Sequence, residues 1–140
     1  MGRDVRPEAF LDTGIFVAWM VREDRCHPAA AELFSRLPKS SATSLAVVSE
    51  TYSLFLHRYG EERARLFRRA LGELPGLTLL ALDQANHEAA ARVLERFRGL
   101  KLTYVDASSL AFMRQLRIAN VWGTDRHLAI EGARLLPDEP

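Results

Sequence analysis

Short apolar runs alternate with segments of helical period along all 140 residues, and that alternation limits the possible folds more than any other feature. Ala9 to Leu11 reads as a short strand stopping at a tight turn, Asp12-Thr13-Gly14, after which Ile15 to Val21 has helical character. His27-Pro28 opens a second helix, with proline in its first turn, and Pro38 ends it. Ser40 to Thr43 fits a brief strand, and Ser44 can cap the helix that follows.

Gly60 closes that helix. Glu61 to Leu74 makes another, with Ala64, Phe67, Ala70, Leu71 and Leu74 turned inward and its arginines largely outward. Leu77 to Leu82 is a continuous apolar run of strand length, the pattern of a parallel strand covered on both faces. Asp83 starts a helix over Gln84 to Phe97, and Thr103 to Val105 leads into another from about Asp106 to Arg117. Asn120 to Gly123 is a short strand, Asp125 to Ile130 a last helical segment, and Leu135-Leu136 an edge. Strands alternating with helices predict a three-layer α/β/α fold around a mainly parallel sheet, and the length predicts a single domain over residues 1–140.

Charge and cysteine content narrow the partners. Nineteen basic against 18 acidic residues give a net charge of +1, so no overall polycation announces nucleic acid and any basic surface must be local. Seventeen of the basic residues are arginine, a fork-shaped donor suited to phosphate oxygens, although genome composition gives the same bias. A lone cysteine, Cys26, excludes an internal disulfide and a cysteine-rich zinc site and fits a reducing cytoplasm. The apolar stretch Ile15 to Val21 is far short of the ~20 residues of a membrane span, and no export signal is evident.

One residue breaks the pattern. In the stretch Ala46 to Leu56, Glu50 shares a helical face with Ala46, Val47 and Leu54 and is expected to look inward. An ionised carboxylate in that position loses solvation and needs an arginine, a backbone donor, a metal ion or a raised pKa. A helix cap cannot explain a mid-helix glutamate.

Three aspartates stand where elements change: Asp12 after the first strand, Asp106 at a helix start, and Asp125 after the strand ending at Gly123. Each alone is explained by capping backbone N–H groups, as Asp83 is. In an open parallel sheet, however, the carboxyl ends of the strands share one edge, where ligands bind. If the three met Glu50 there, their repulsion would be about 1 kcal/mol per close pair even with water-like screening. A cation would make that tolerable, and oxygen ligands suit Mg²⁺ or Mn²⁺ rather than zinc.

The segments FLDTG at Phe10 to Gly14, SLAVVSETYSLF at Ser44 to Phe55, LTYVDASSLAF at Leu102 to Phe112 and VWGTDRHLAIEGARLL at Val121 to Leu136 resemble, in that order, the PIN-domain nucleases, particularly the VapC-like toxins of toxin–antitoxin pairs. The resemblance covers nearly the whole chain. It implies a metal site built from Asp12, Glu50, Asp106 and Asp125 holding Mg²⁺ or Mn²⁺. It assigns the Thr13 and Thr124 hydroxyls to support or water positioning, and Ser108 more weakly. Gly14 stands where the family commonly has serine or asparagine. The implied activity is metal-dependent endonucleolytic cleavage of RNA by the toxin of a type II pair, with an antitoxin or a second copy of the chain as partner.

Two other functional classes fit the same pattern: a PIN-like RNA- or protein-binding module that no longer cuts, and a structure-specific DNA nuclease on a related scaffold. The latter would be expected to carry clamp elements or a basic arm that are not evident in 140 residues. His27, His57, His87 and His127 are scattered without metal-ligand spacing, so a histidine site is not expected. His127 and Arg126, directly after Asp125, are placed where either could touch a phosphate, although a surface position at the start of a short helix accounts for both. No nucleophile elbow and no phosphate-binding glycine loop is present. Trp19 and Trp122 read as core, and the helices around Glu50 and Glu61 to Leu74 present apolar and basic surface for a partner.

Overall fold

Strand β1 (Ala9–Leu11) is buried along its whole length, and small residues let its neighbour β2 (Ser41–Ser44, Ser-Ala-Thr-Ser) be buried too. The buried Thr43 hydroxyl donates to the Leu11 carbonyl at 2.6 Å, so a polar side chain sits between the two strands without a desolvation penalty. A computed structural model describes residues 6–138. Between β1 and β2 lie α1 (Thr13–Met20) and α2 (His27–Ser35); after β2 come α3 (Leu45–Tyr59), α4 (Glu61–Glu73), β3 (Leu77–Leu80), α5 (Gln84–Arg96) and α6 (Tyr104–Leu116). The chain continues through β4 (Asn120–Trp122), a 3₁₀ turn at Arg126–Ala129 and β5 (Arg134–Leu136).

The five strands form one parallel sheet in the order β3-β2-β1-β4-β5. Helices cover it in a three-layer α/β/α arrangement, as the alternating pattern requires. In register, Phe10 pairs with Ala42 on one side and Val121 on the other. From β1 the sheet first grows one way, to β2 and β3, and then, after α5 and α6, the other way, to β4 and β5. The reversal falls between β1 and β4, so the crevice at their carboxyl ends is the place where this sheet type takes ligands.

The core is aromatic around α1 and α2. Phe16 meets Phe67 edge-on at 5.3 Å, Trp19 stacks on Phe34 at 4.0 Å, and Trp122 meets Phe34 edge-on at 5.4 Å, so both tryptophans pack in the interior cluster as the sequence predicts. Ser44 accepts from the Val47 N–H and caps α3, and Asp83 forms a capping box with Asn86 at the start of α5.

Four expectations change. The run Leu77 to Leu82 is not covered on both faces: β3 ends at Leu80, lies at the sheet edge and leaves Thr78 and Leu79 exposed. No strand precedes α6; Thr103 is its N-cap, and Asp106 lies in the first helical turn. Helix α1 begins directly at Thr13, so Asp12 is its N-cap position rather than part of a loop. The buried stripe of α3 is Val47, Thr51 and Phe55, while Ala46, Glu50 and Leu54 lie half-buried along its flank. No helix among the described residues is long and apolar enough to cross a membrane.

Candidate metal centre

Asp12 ends β1, and its N–H donates to the Trp122 carbonyl of β4 at 2.8 Å, which places it in the crevice where the strand order reverses. It occupies the N-cap of α1 yet makes no capping hydrogen bond, so the structural explanation that serves most aspartates at helix starts fails here. The residue is 5% exposed, and its Oδ1 is buried without a partner. Burial pushes the Asp12 carboxyl up to about 7; the Thr13 N–H pulls the other way, and the negative charges of Asp106, Glu50 and Asp125 add to the rise. Three acids from distant parts of the chain are therefore close enough to act on Asp12.

Glu50 projects from α3 toward α1. Its Oε1 accepts from the Thr13 hydroxyl at 2.6 Å, and among the described residues no arginine pairs with it. Thr13 is in turn met by Thr51, whose hydroxyl lies 2.9 Å from Thr13 Oγ1 and 2.7 Å from the Val47 carbonyl. The single Thr51 proton serves one acceptor at a time, so Thr13 can donate to Glu50 while accepting from Thr51. Thr51 was not among the residues expected from the sequence. Its signal is a hydroxyl in the buried Val47-Thr51-Phe55 stripe, beside the anomalous glutamate.

Asp106 and Asp125 combine capping with a position at the crevice. Asp106 Oδ2 accepts the Thr103 N–H at 3.3 Å while the Thr103 hydroxyl accepts the Asp106 N–H at 3.0 Å. Asp125 Oδ1 accepts the His127 N–H at 2.9 Å. Capping thus holds for these two, using one oxygen of each. Asp106, Asp125 and His127 each offer a ligand atom lying within 4.8 Å of the others.

Two glycines allow the close approach. A Cβ on Gly14 would stand 2.2 Å from Thr124 Oγ1 and 2.9 Å from the Thr124 N, so the α1 start can abut the β4 end only without a side chain there. A Cβ on Gly123 would stand 3.2 Å from Asp12 Cβ. The absence of a side chain at Gly14 therefore has a packing reason. Thr124 itself is exposed, and the Ser108 hydroxyl donates to Val105 within its own helix at 2.8 Å.

The donor set fits a hard divalent cation: carboxylate oxygens from four elements, one of them buried with nothing to bond, on a carboxyl raised to about 7 by burial first and by the neighbouring acids second. The hollows elsewhere on the surface, such as one of about 550 Å³ lined by Phe97, Leu110, Met113 and Ile130, have no comparable group of acids.

No curated protein sequence matches the chain significantly. Its fold is similar to the crystal structure of VapC20 from Mycobacterium tuberculosis, described as a sarcin-ricin loop cleaving toxin, with a TM-score of 0.82 and 26% identity over 89% of this chain and 95% of that one. A toxin–antitoxin complex from Klebsiella pneumoniae is similar at a TM-score of 0.67 and 19% identity, covering 92% of this chain and 96% of that one. FitAcB from Neisseria gonorrhoeae is similar at a TM-score of 0.70 and 14% identity, again covering 92% and 96%. Residues 9–130, which run from β1 to the end of the 3₁₀ turn and include all four acids, match the PIN domain, and the chain belongs to the PIN-domain family.

Proposed function

We propose that the chain is a divalent-metal-dependent endoribonuclease, the toxin of a toxin–antitoxin pair, with Asp12, Glu50, Asp106 and Asp125 as the residues that hold Mg²⁺ or Mn²⁺. The observation that carries this reading is Asp12: a buried carboxyl with an unpartnered oxygen, raised to about 7 by burial and by the three other acids. A core has no use for such a group, whereas a cation offsets both its desolvation and its neighbours' repulsion. A bound divalent ion supplies polarisation of the scissile phosphate and a more acidic water.

The protein's own contribution is positioning and charge. Thr13 donates to Glu50 Oε1 and can accept from Thr51, which orients the Glu50 carboxylate toward α1. The capping bonds of Asp106 and Asp125 tie one oxygen of each to the backbone, so their orientation is set before any ligand arrives. In this reading Thr124, which is exposed and packs beside Gly14, orients a water or a phosphate oxygen.

An antitoxin is the partner this reading calls for, and the similarity in fold to the Klebsiella pneumoniae toxin–antitoxin complex supports it. Leu45, Tyr59 and Leu66 on α3 and α4 are exposed, and a hollow of about 380 Å³ lined by Leu45, Val48, Tyr52, Phe67 and Arg68 lies between the two helices. These supply apolar surface for such a partner. The test of the catalytic reading is RNA cleavage across a titration of Mg²⁺ and of Mn²⁺, comparing wild type with Asp12→Asn and Glu50→Gln. Cleavage by wild type alone supports it, and equal cleavage by all three proteins overturns it.

A further inference from the structure

Two of the four acids have an imidazole for a neighbour. Asp106, Asp125 and His127 bring ligand atoms within 4.8 Å of one another, while Asp12 and Glu50 lie outside that group. His127 sits in the 3₁₀ turn that follows Asp125, and the turn is pinned by Leu128, whose side chain is fully buried. The backbone that carries the ring is therefore anchored directly after Asp125.

Its ring nitrogens are not otherwise used. His127 Nδ1 lies 3.5 Å from Asp125 Oδ1, longer than the ~2.7–3.2 Å of a good hydrogen bond, and among the described residues no other side chain or carbonyl engages the ring. The bond that shapes the turn comes from the His127 backbone N–H, not the imidazole. The unpartnered Oδ1 of Asp12 is buried, and the Asp12 carboxyl lies within electrostatic reach of Asp106 and Asp125. An orphaned carboxylate oxygen and a ring without a good hydrogen bond thus both belong to residues near Asp125.

We propose that His127 is a nitrogen ligand of the metal centre, completing with Asp106 and Asp125 a mixed nitrogen–oxygen face that favours Mn²⁺ over Mg²⁺. Mg²⁺ takes oxygen ligands and sheds water reluctantly, whereas first-row transition ions gain from imidazole. A neutral ligand also adds a donor without adding to the negative charge that already raises Asp12. The inference rests on the metal-centre reading above and specifies the composition of that site.

The experiment is pulsed electron paramagnetic resonance on the full chain, stripped of metal and loaded with Mn²⁺, beside Mn²⁺/Mg²⁺ competition read by calorimetry. Wild type is expected to show ¹⁴N modulation from a coordinated imidazole. His127→Ala and His127→Asn should bind Mn²⁺ through the carboxylates without that modulation, and with Mn²⁺ affinity reduced about tenfold or more, at or above the loss typical for a residue that only supports a ligand. Both variants keep the backbone N–H that Asp125 accepts, so circular dichroism should be unchanged. Bound Mn²⁺ without ¹⁴N modulation in wild type, or modulation that survives both substitutions, overturns the assignment of His127 while leaving the carboxylate site standing. Mn²⁺ binding that is absent, or unaffected by Asp106→Asn, overturns the metal centre and this inference with it.

Discussion

Gly14 and Thr13 show how single atoms set the geometry of the crevice. Placing a Cβ on Gly14 drives it into Thr124 Oγ1 and the Thr124 backbone nitrogen, and the nitrogen cannot rotate away. Gly14→Ala should therefore destabilise the protein by about 1–3 kcal/mol in urea denaturation, as overpacking does elsewhere. Adding Thr124→Ala should recover only part of the loss, because the backbone clash remains. Thr13→Val deletes the donor to Glu50 and the acceptor for Thr51. It should cost about 1 kcal/mol of stability and lower RNA cleavage more than it lowers the melting temperature would suggest, measured as initial rates at saturating metal. Thr51 gives only a weak signal at this scale in the sequence, because a threonine in an apolar stripe is compatible with plain burial; its distance to Thr13 gives it a role.

Helix α6 carries a capping role and a proposed metal-binding role on the same residue. Asp106 completes the capping box with Thr103, so its removal has two separable effects. Asp106→Asn keeps an acceptor for the Thr103 N–H and should hold stability within about 0.5 kcal/mol, whereas Asp106→Ala should cost about 1 kcal/mol. Both should abolish metal-dependent cleavage, and thermal denaturation beside an RNA cleavage assay checks the pair. The sequence shows Asp106 as a junction residue but misplaces the junction, because Thr103-Tyr104-Val105 has the β-branched and aromatic content of a strand while its threonine acts as a cap. The same limit applies to Leu77 to Leu82. An apolar run signals a strand, but only the sheet order, which depends on long-range pairing, decides that β3 is an edge. Helices α3, α4 and α5 were legible almost to their ends, since Ser44, Gly60 and Asp83 are local signals that act locally.

Across the whole molecule, parallel strands that reverse order beside β1 bring residues 12, 106 and 125 to one end of the sheet, and α3 brings residue 50 against α1. The parallel α/β architecture could be read from the chain, and so could the four acids as candidates; His127 stands out there only for its place beside Asp125, because one histidine without a spaced partner gives no metal signal. The concentration of charge also affects global stability. Between pH about 4 and about 7 the unfolded chain has released the Asp12 proton and the folded chain still holds it, so metal-free stability should fall as pH rises through that window. The slope from this one group is at most about 1.4 kcal/mol per pH unit. Asp12→Asn should flatten the profile, and Mg²⁺ should restore wild-type stability near neutral pH by binding the folded, ionised form; denaturant titrations at a series of pH values check both.

The most direct test is the ionisation of Asp12 itself, followed by carbon-13 NMR of its carboxyl group as pH is varied, first without metal and then with saturating Mg²⁺. The midpoint should lie near 7 without metal and move well down when the ion is added. A midpoint in the ordinary carboxylate range under both conditions would contradict the claim that these acids are gathered around a cation.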